Sequence, residues 1–180
     1  MIENFDKCLE MLLHHEGGFT ADKRDKGNAG DGHGNQGSTM LGVTSRVYAD
    51  WIGKPAPIEV MEALTPDDVA PIYKKNYWDR VKGDHLPSGV DWCAFDWAVN
   101  SGSGRPAKAI QRAVGAVQDG AIGKNTLQLV AEADPEFIIN YVYDVRQAFY
   151  EGLDDFKHFG RGWTTRNKKT QIDAISMLSK

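Results

Sequence analysis

A glutamate and two aspartates near the N-terminus have the types and spacing needed for acid catalysis. Glu16 ends an apolar helical pattern and directly precedes two glycines. Because Phe5 lies eleven positions earlier, a rotation of ~100° per residue returns Glu16 to within ~20° of the Phe5 direction, on the apolar stripe of the helix. Apolar surroundings and the negative end of the helix dipole both disfavour an ionised carboxylate. The sequence therefore favours a carboxyl group that holds its proton, as the general acid in glycoside cleavage must.

The second carboxylate must come from the segment after Glu16. Asp22 and Asp25 follow it at six and nine residues, in a turn-rich loop. Loop carboxylates in polar surroundings stay ionised, so Glu16 and Asp25 would form a pair of one acid and one anion. The structural alternative is an exposed glutamate before a glycine helix cap, followed by aspartates that only form turns.

The glycine-rich segment at residues 32–37 has the spacing G-x-G-x-x-G, but it is not preceded by an apolar strand or followed by a helix. We therefore reject a dinucleotide site, and a phosphate-binding loop fails because Ser38 stands where its lysine would be. The histidines nearby lack the i, i+4 spacing of a zinc helix. Calcium would need a bidentate glutamate to close the loop, and none follows its four candidate ligands, Asp25, Asn28, Asp31 and Asn35. The sequence predicts no metal and no cofactor.

Composition sets the class of protein. The chain has 180 residues, of which 41% are apolar and 26% charged, so we expect one well-cored globular domain or one domain with two lobes. A net charge of −4 provides no basic field for nucleic acid. No apolar run is long enough to span a membrane, and the acidic N-terminus does not resemble a signal peptide. We expect synthesis in the cytoplasm, where Cys8 and Cys93 would be buried free thiols.

Helical periodicity dominates the rest of the chain, so the predicted fold class is mainly α. Residues 19–43 have no helical period and are interpreted as a long loop or small irregular hairpin. Helix starts are predicted at Thr44, at Thr65 with Pro66, and at Asp134, which are capping residue types. The predicted helices cover residues 3–15, 45–53, 66–78, 88–100, 105–116, 124–132, 135–151 and 164–178.

Several motifs in one order resemble a known family. EGGF at residues 16–19, the aspartates at 22 and 25, Gly27 and TMLGVT at 39–44 are similar to the N-terminal signature of glycoside hydrolase family 108. This family contains the N-acetylmuramidases common among phage endolysins and prophage lysozymes. Four further motifs resemble the adjoining region of the family, which is often labelled a predicted peptidoglycan-binding segment. They are NYWDRV (76–81), FDWAVNSGSGRPAKAIQRAVG (95–115), DGAIGKNTL (119–127) and FGRGW…R (159–166).

The resemblance implies a lysozyme-like, two-lobed helical fold with a small irregular loop or β region near residues 19–43. It implies a catalytic region at residues 1–100 and a C-terminal helical, predicted peptidoglycan-binding region at 101–180, packed as one structural unit. The implied activity is hydrolysis of the β-1,4 bond between N-acetylmuramic acid and N-acetylglucosamine. A lytic transglycosylase acting on the same bond, and a non-catalytic peptidoglycan-binding module, are the alternatives.

The family pattern carries over to particular residues. Glu16 corresponds to the catalytic acid, Asp25 to a second carboxylate, and Thr39 to the threonine that holds water or a sugar hydroxyl. The family usually has D-P-x-D-P-G-G-x-T, whereas both prolines are absent here and residues 28–38 are extra. The insertion suggests a longer lip over the cleft, and it leaves the second carboxylate open between Asp25, Asp22 and Asp31. Substrate binding is assigned to Asp22, Tyr77, Trp78 and Asn100.

The family also implies where the protein acts. The expected partner is the glycan strand of peptidoglycan, with neither nucleic acid nor membrane insertion. After synthesis in the host cytoplasm, the protein is expected to reach the cell wall or periplasm through a separate holin-like protein. The expected oligomeric state is a monomer.

Overall fold

The structure, a computed structural model, describes residues 4–178. The chain forms two compact units. One runs from Leu9 to Tyr73, and the other comprises, within the described residues, 4–8 together with 74–178. This division differs from the boundary predicted at residue 100, because the helix that ends there packs against the helices that follow it within one unit.

The mainly α prediction is confirmed. Helix α1 (Asn4–Leu13) begins in one unit and ends in the other. The unit from Leu9 to Tyr73 continues with a 3₁₀ turn (Lys26–Asn28), β1 (Thr39–Met40), β2 (Val43–Thr44), α2 (Ser45–Ile52), α3 (Ile58–Glu62) and α4 (Pro66–Tyr73). The second unit contains a π-helical turn (Lys74–Trp78), a 3₁₀ turn (Gly83–His85), α5 (Val90–Ser101), α6 (Gly104–Ala113), α7 (Lys124–Glu132), α8 (Pro135–Glu151) and α9 (Phe156–Leu178).

The predicted helix starts have physical causes that the structure makes explicit. The Thr44 hydroxyl accepts a hydrogen bond from the backbone N–H of Val47 at 3.3 Å, which caps α2. At α4 the Asp68 carboxylate accepts from the backbone N–H of Thr65 at 2.8 Å and from its hydroxyl at 2.6 Å. The Asp134 carboxylate caps α8 by accepting from the backbone N–H of Glu136 at 3.0 Å.

The helix predicted for residues 66–78 changes its geometry partway. Pro71 lies inside α4 and has no N–H to donate to the preceding turn. The backbone then widens into the π-helical turn Lys74–Trp78, where the N–H of Asp79 donates to the carbonyl of Lys74 five residues earlier, at 2.8 Å. A prediction from apolar spacing does not detect this change, because the spacing hardly differs between the two helix types.

The unit containing Lys74 and the residues after it is built around α5, which is buried on nearly all sides and packs on α6, α8 and α9. Its Asp96 carboxylate, 0% exposed, accepts from Arg146 Nη1 at 2.6 Å and from Arg166 Nη2 at 2.8 Å, and it also accepts from the Thr170 hydroxyl at 3.1 Å. Burial alone would raise the pKa of Asp96, but the two guanidinium charges outweigh it and lower that pKa. This ionic cluster joins α5 to α8 and α9.

Helix α9 begins at Phe156, eight residues before the predicted start. The prediction failed because Gly160 and Gly162 interrupt the pattern and glycine usually marks a helix end. A Cβ on Gly160 would lie 2.7 Å from the Phe156 ring, so the missing side chain gives that ring room against its own helix. The short helix α3 was not predicted either.

Cys8 and Cys93 are buried free thiols, as predicted, and burial raises the pKa of both. Within residues 4–178, none of the helices combines the length and apolar character that crossing a membrane requires.

Candidate active site

Glu16 lies just beyond α1 rather than within its last turn. The helix ends at Leu13, and the chain then tightens: the N–H of His15 donates to the carbonyl of Leu12 at 2.8 Å, and the N–H of Glu16 donates to that of Leu13 at 3.2 Å. The expectation that the helix dipole and the apolar stripe surround Glu16 is therefore wrong. Its half-buried side chain is placed by the turn after the helix.

A two-residue β-turn lies beside the Glu16 side chain. Strands β1 and β2 pair antiparallel with Thr39 opposite Thr44 and Met40 opposite Val43, so Leu41 and Gly42 form the turn. Both have positive φ, 50° and 75°, as a type I′ hairpin turn requires. Leucine rarely adopts this conformation, which costs roughly 1–2 kcal/mol.

The end of α4 holds this turn. The Tyr73 hydroxyl donates a hydrogen bond to the carbonyl oxygen of Leu41 at 2.9 Å, and only 2% of Tyr73 is exposed. A Cβ on Gly42 would lie 3.0 Å from Glu16 Oε2 and still closer to the Tyr73 hydroxyl oxygen. The Glu16 carboxyl and the Tyr73 hydroxyl therefore flank the same backbone position, which only glycine can occupy.

The segment from Asp25 to Asn28 is joined to the other end of the hairpin. Asp25 Oδ1 caps the 3₁₀ turn by accepting from the backbone N–H of Gly27 at 2.8 Å. Asn28, 4% exposed, accepts from the Thr39 hydroxyl at 2.8 Å and donates to the carbonyl oxygen of Asp22 at 3.1 Å. Thr39 also exchanges two backbone hydrogen bonds with Thr20, at 2.8 and 2.9 Å. Asn28 thus links the aspartate loop to β1.

Sequence reasoning considered Asn28 only as a calcium ligand and missed this linking role. The signal that could have found it is its place as the first residue of the insertion, three residues after Asp25. Tyr73 and Gly42 were also missed as site residues. TMLG at residues 39–42 was noted, but its glycine was not linked to the glutamate.

The three candidates for the second carboxylate differ in what already occupies their oxygens. Asp22 is exposed and pairs with the Arg24 guanidinium through hydrogen bonds of 3.0, 3.1 and 2.6 Å. The hydrogen bonds from the Arg24 side chain, with one from its backbone N–H, lower the pKa of Asp22. Asp25 is exposed, and within residues 4–178 its Oδ2 accepts no hydrogen bond. Asp25 therefore has an oxygen available for a substrate or a water.

The Asp31 carboxylate has a structural role. It is 0% exposed and accepts from the backbone N–H groups of His33 and Asn35 at 2.8 and 3.1 Å, from Asn35 Nδ2 at 2.7 Å, and from the backbone N–H of Ala56 at 3.0 Å. The Asn35 side chain is the largest cause that holds the pKa of Asp31 well below its usual range, and the backbone donors add to it. The glycine-rich insertion is therefore an ordered loop wrapped around a buried carboxylate.

This arrangement predicts opposite effects for two aspartate variants. Asp31→Asn places an amide where four donors converge, so we expect the melting temperature to fall by several degrees. The protein that remains folded should keep its rate of peptidoglycan hydrolysis. Asp25→Asn should keep the melting temperature and lose most peptidoglycan hydrolysis. Calorimetry and reducing-end release on the same samples test both, and a stable but inactive Asp31→Asn protein would reassign the second carboxylate.

The wild-type and Asp31→Asn proteins should also differ in how their stability depends on pH. Because folding lowers the pKa of Asp31, its contribution to stability is complete above about pH 4, the ordinary range for an aspartate, and is lost as the pH falls further. Wild-type stability should therefore decline below about pH 4, and the Asp31→Asn protein should decline less steeply.

The remaining predicted substrate-binding residues belong to the other unit. Tyr77 is half-buried in the π-helical turn, and Asn100 is exposed near the end of α5, where its amide donates to the carbonyl oxygen of Asp96 at 2.6 Å. Trp78 is 0% exposed, donates its indole N–H to Asp84 at 2.8 Å, and packs edge-on against Phe5 and Phe95. A side chain without exposed surface cannot stack on a sugar ring, so the assignment of Trp78 is corrected to a core residue.

The described part of the chain contains no group of three or more histidine, cysteine, aspartate or glutamate side chains arranged to hold a metal ion. Two of the four candidate calcium ligands, Asp31 and Asn28, have other partners. Both Asp31 oxygens accept N–H donors, and the amide oxygen of Asn28 accepts the Thr39 hydroxyl.

Comparison with known proteins identifies the family. The family described as Glycosyl hydrolase 108 matches residues 9–102, which include the turn at Glu16, the aspartate loop and the hairpin. The solved structure of SagA from Brucella abortus is similar over 100% of this chain and 98% of its own, with 34% sequence identity and a TM-score of 0.82. None of the curated proteins matches the chain at a significant level.

The fold and the family match together define a glycoside hydrolase with a lysozyme-like, mainly α fold. The chain belongs to the glycosyl hydrolase 108 family.

Proposed function

We propose that the protein is a peptidoglycan hydrolase, an N-acetylmuramidase that cleaves the β-1,4 bond between N-acetylmuramic acid and N-acetylglucosamine. Membership of the family supports glycosidic bond hydrolysis, and the EGGF and TMLG motifs support the muramidase specificity. The observation that carries the proposal is the contact of the Glu16 carboxyl with the turn at Gly42, in a unit that also presents an aspartate with a free oxygen.

In the proposed reaction, Glu16 donates its proton to the glycosidic oxygen, and the N-acetylglucosamine residue leaves with a free 4-hydroxyl group. A water adds to the anomeric carbon of the N-acetylmuramic acid residue and gives its proton to Asp25. The Thr39 hydroxyl donates to Asn28, so its lone pairs remain to orient that water or a sugar hydroxyl. Catalysis then divides between a proton donor at the turn and a base at the loop.

Product analysis on purified sacculi tests the proposal. Mass spectrometry should find muropeptides that end in a hydrated, reducing N-acetylmuramic acid, and NMR during the first turnovers identifies which anomer forms. Anhydro-muramic ends would instead identify a lytic transglycosylase. Binding to sacculi without any new reducing end would identify a non-catalytic wall-binding module.

Action on peptidoglycan carries further expectations about the setting. The protein would be made in the host cytoplasm and reach the wall or periplasm when a separate, holin-like protein permeabilises the membrane, as in phage endolysins. We expect it to act as a monomer.

A further inference from the structure

A pocket lies within the unit that contains Lys74 and the residues after it, and Glu16 belongs to the other unit. The volume of the pocket is about 330 Å³. It is formed by the end of α5, the first turn of α6, the end of α8 and the first part of α9, and its lining residues are Asn100, Ser101, Arg105, Phe149, Tyr150, Leu153 and Trp163. The proposed cleavage reaction uses none of these residues.

Aromatic rings form one wall of this pocket. The Phe149 and Tyr150 ring centroids are 5.7 Å apart, and those of Tyr150 and Trp163 are 5.5 Å apart. The row continues to Phe159, 5.9 Å from Trp163 and 58% exposed. A wall of this kind offers flat apolar faces to a ligand and leaves orientation to a few polar groups.

Arg105 is the charged residue of the lining. Its Nη1 donates to the carbonyl oxygen of Ser101 at 2.5 Å, and its guanidinium carbon lies 4.7 Å from the Phe149 ring centroid. No carboxylate pairs with Arg105 anywhere in residues 4–178, whereas Arg24, Arg146 and Arg166 each pair with an aspartate. A guanidinium held by one backbone contact and one ring keeps donors free for a carboxylate.

Asn100 adds an acceptor beside this cation. Its amide nitrogen is used by the carbonyl of Asp96, so the amide oxygen remains for an N–H donor of a ligand. The pocket therefore offers a cation, an amide acceptor and an aromatic wall. These suit a ligand with a carboxylate, an amide N–H and an apolar surface such as methyl or methylene groups.

We propose that this pocket binds the peptide stem of peptidoglycan. A free stem carboxylate pairs with Arg105, a stem amide N–H donates to Asn100, and an apolar face of the stem lies on Phe149 and Trp163. The inference rests on the proposed function for the identity of the polymer. It adds that the protein recognises the peptide as well as the glycan. In a peptide-bearing strand the lactyl carboxyl of N-acetylmuramic acid is bound in the amide to the stem, so the carboxylates that could match Arg105 belong to the stem.

Calorimetric titration of the full chain tests this inference in a Glu16→Gln background, which prevents turnover. The ligands are a purified disaccharide-tetrapeptide muropeptide and an N-acetylglucosamine tetramer without peptide. Arg105→Gln should weaken muropeptide binding at least about tenfold and leave binding of the tetramer unchanged. Arg105→Lys, which keeps the charge without the guanidinium fork, should fall in between.

Arg112→Gln is the matched control, since Arg112 lies on the same helix, is exposed and contacts Gln118 instead of the pocket. It should bind the muropeptide as the parent does. Equal muropeptide affinity for Arg105→Gln and its parent would overturn the inference, whether or not the wild-type protein cleaves sacculi. Failure of the wild-type protein to release reducing ends would instead count against the proposed function, and the muropeptide titration would still decide the role of Arg105.

Discussion

Replacing Glu16 by glutamine is expected to lower the rate of peptidoglycan hydrolysis by about 10³-fold or more, while the protein remains folded. General acid catalysis typically contributes 10²–10⁴-fold, and a glycosidic oxygen leaves poorly without a proton. Glutamine has nearly the same shape, so the packing against Gly42 is retained. The measurement is reducing-end release from purified sacculi, with the melting temperature recorded on the same sample.

Glu10→Gln is the matched control, because Glu10 is exposed on α1 and lies six residues before Glu16. It makes the same chemical change on the same segment and should leave both activity and melting temperature unchanged. If Glu16→Gln retained wild-type activity, the assignment of the acid would be wrong.

Gly42→Ala is expected to have the second-largest effect. The new methyl group would meet the Tyr73 hydroxyl and lie 3.0 Å from Glu16 Oε2, at a residue whose φ of 75° already disfavours a side chain. The turn must then move away from Glu16 or displace its carboxyl. We expect a loss of about 2–4 kcal/mol in the free energy of unfolding, and a fall in kcat of at least about tenfold in protein that is still folded.

Gly53→Ala separates the effect of backbone strain from that of the steric collision. Gly53 ends α2 with a φ of 66°, and a Cβ there would have no neighbour within 4 Å. Alanine at this position carries the backbone strain without the collision, so it should cost about 1 kcal/mol and leave kcat unchanged. Equal effects on kcat from Gly42→Ala and Gly53→Ala would mean that the turn does not position the acid.

Much of the helical architecture could be predicted because its causes are local. Thr44, Asp134 and Pro135 specify helix starts by side-chain capping and a fixed φ, and these signals act within a few residues. The near-continuous apolar run of α5 likewise indicates a helix buried on all sides. Such elements do not depend on a distant partner.

Other features depend on contacts that no local pattern reveals. Gly160 indicates a helix break until the Phe156 ring is found to occupy the space of its side chain. Asp31 is equivalent in sequence to Asp25 as a loop carboxylate, and its structural role shows only in the folded loop, where His33, Asn35 and the backbone N–H of Ala56, 25 residues away, donate to it. Trp78 was assigned to sugar stacking because its local sequence does not show that Phe5 and Phe95 bury it.

The physical reason for which the sequence singled out Glu16 as an acid also changed. The helix dipole was expected to act on it, but α1 ends at Leu13 and the residue lies in the following turn. What surrounds the carboxyl instead is the Leu41–Gly42 turn, held in place by Tyr73. The sequence predicted Glu16 as the acid, whereas the turn beside its carboxyl belongs to a hairpin 26 residues later in the chain.

The role of Glu16 as proton donor is tested most directly by changing the leaving group. In a dinitrophenyl glycoside of the same disaccharide repeat, the dinitrophenolate leaves without protonation, so its hydrolysis does not need an acid. The account predicts that Glu16→Gln loses about 10³-fold on sacculi but less than about tenfold on the aryl glycoside. An equally large loss on both substrates would contradict it, because Glu16 would then act on a step other than proton donation.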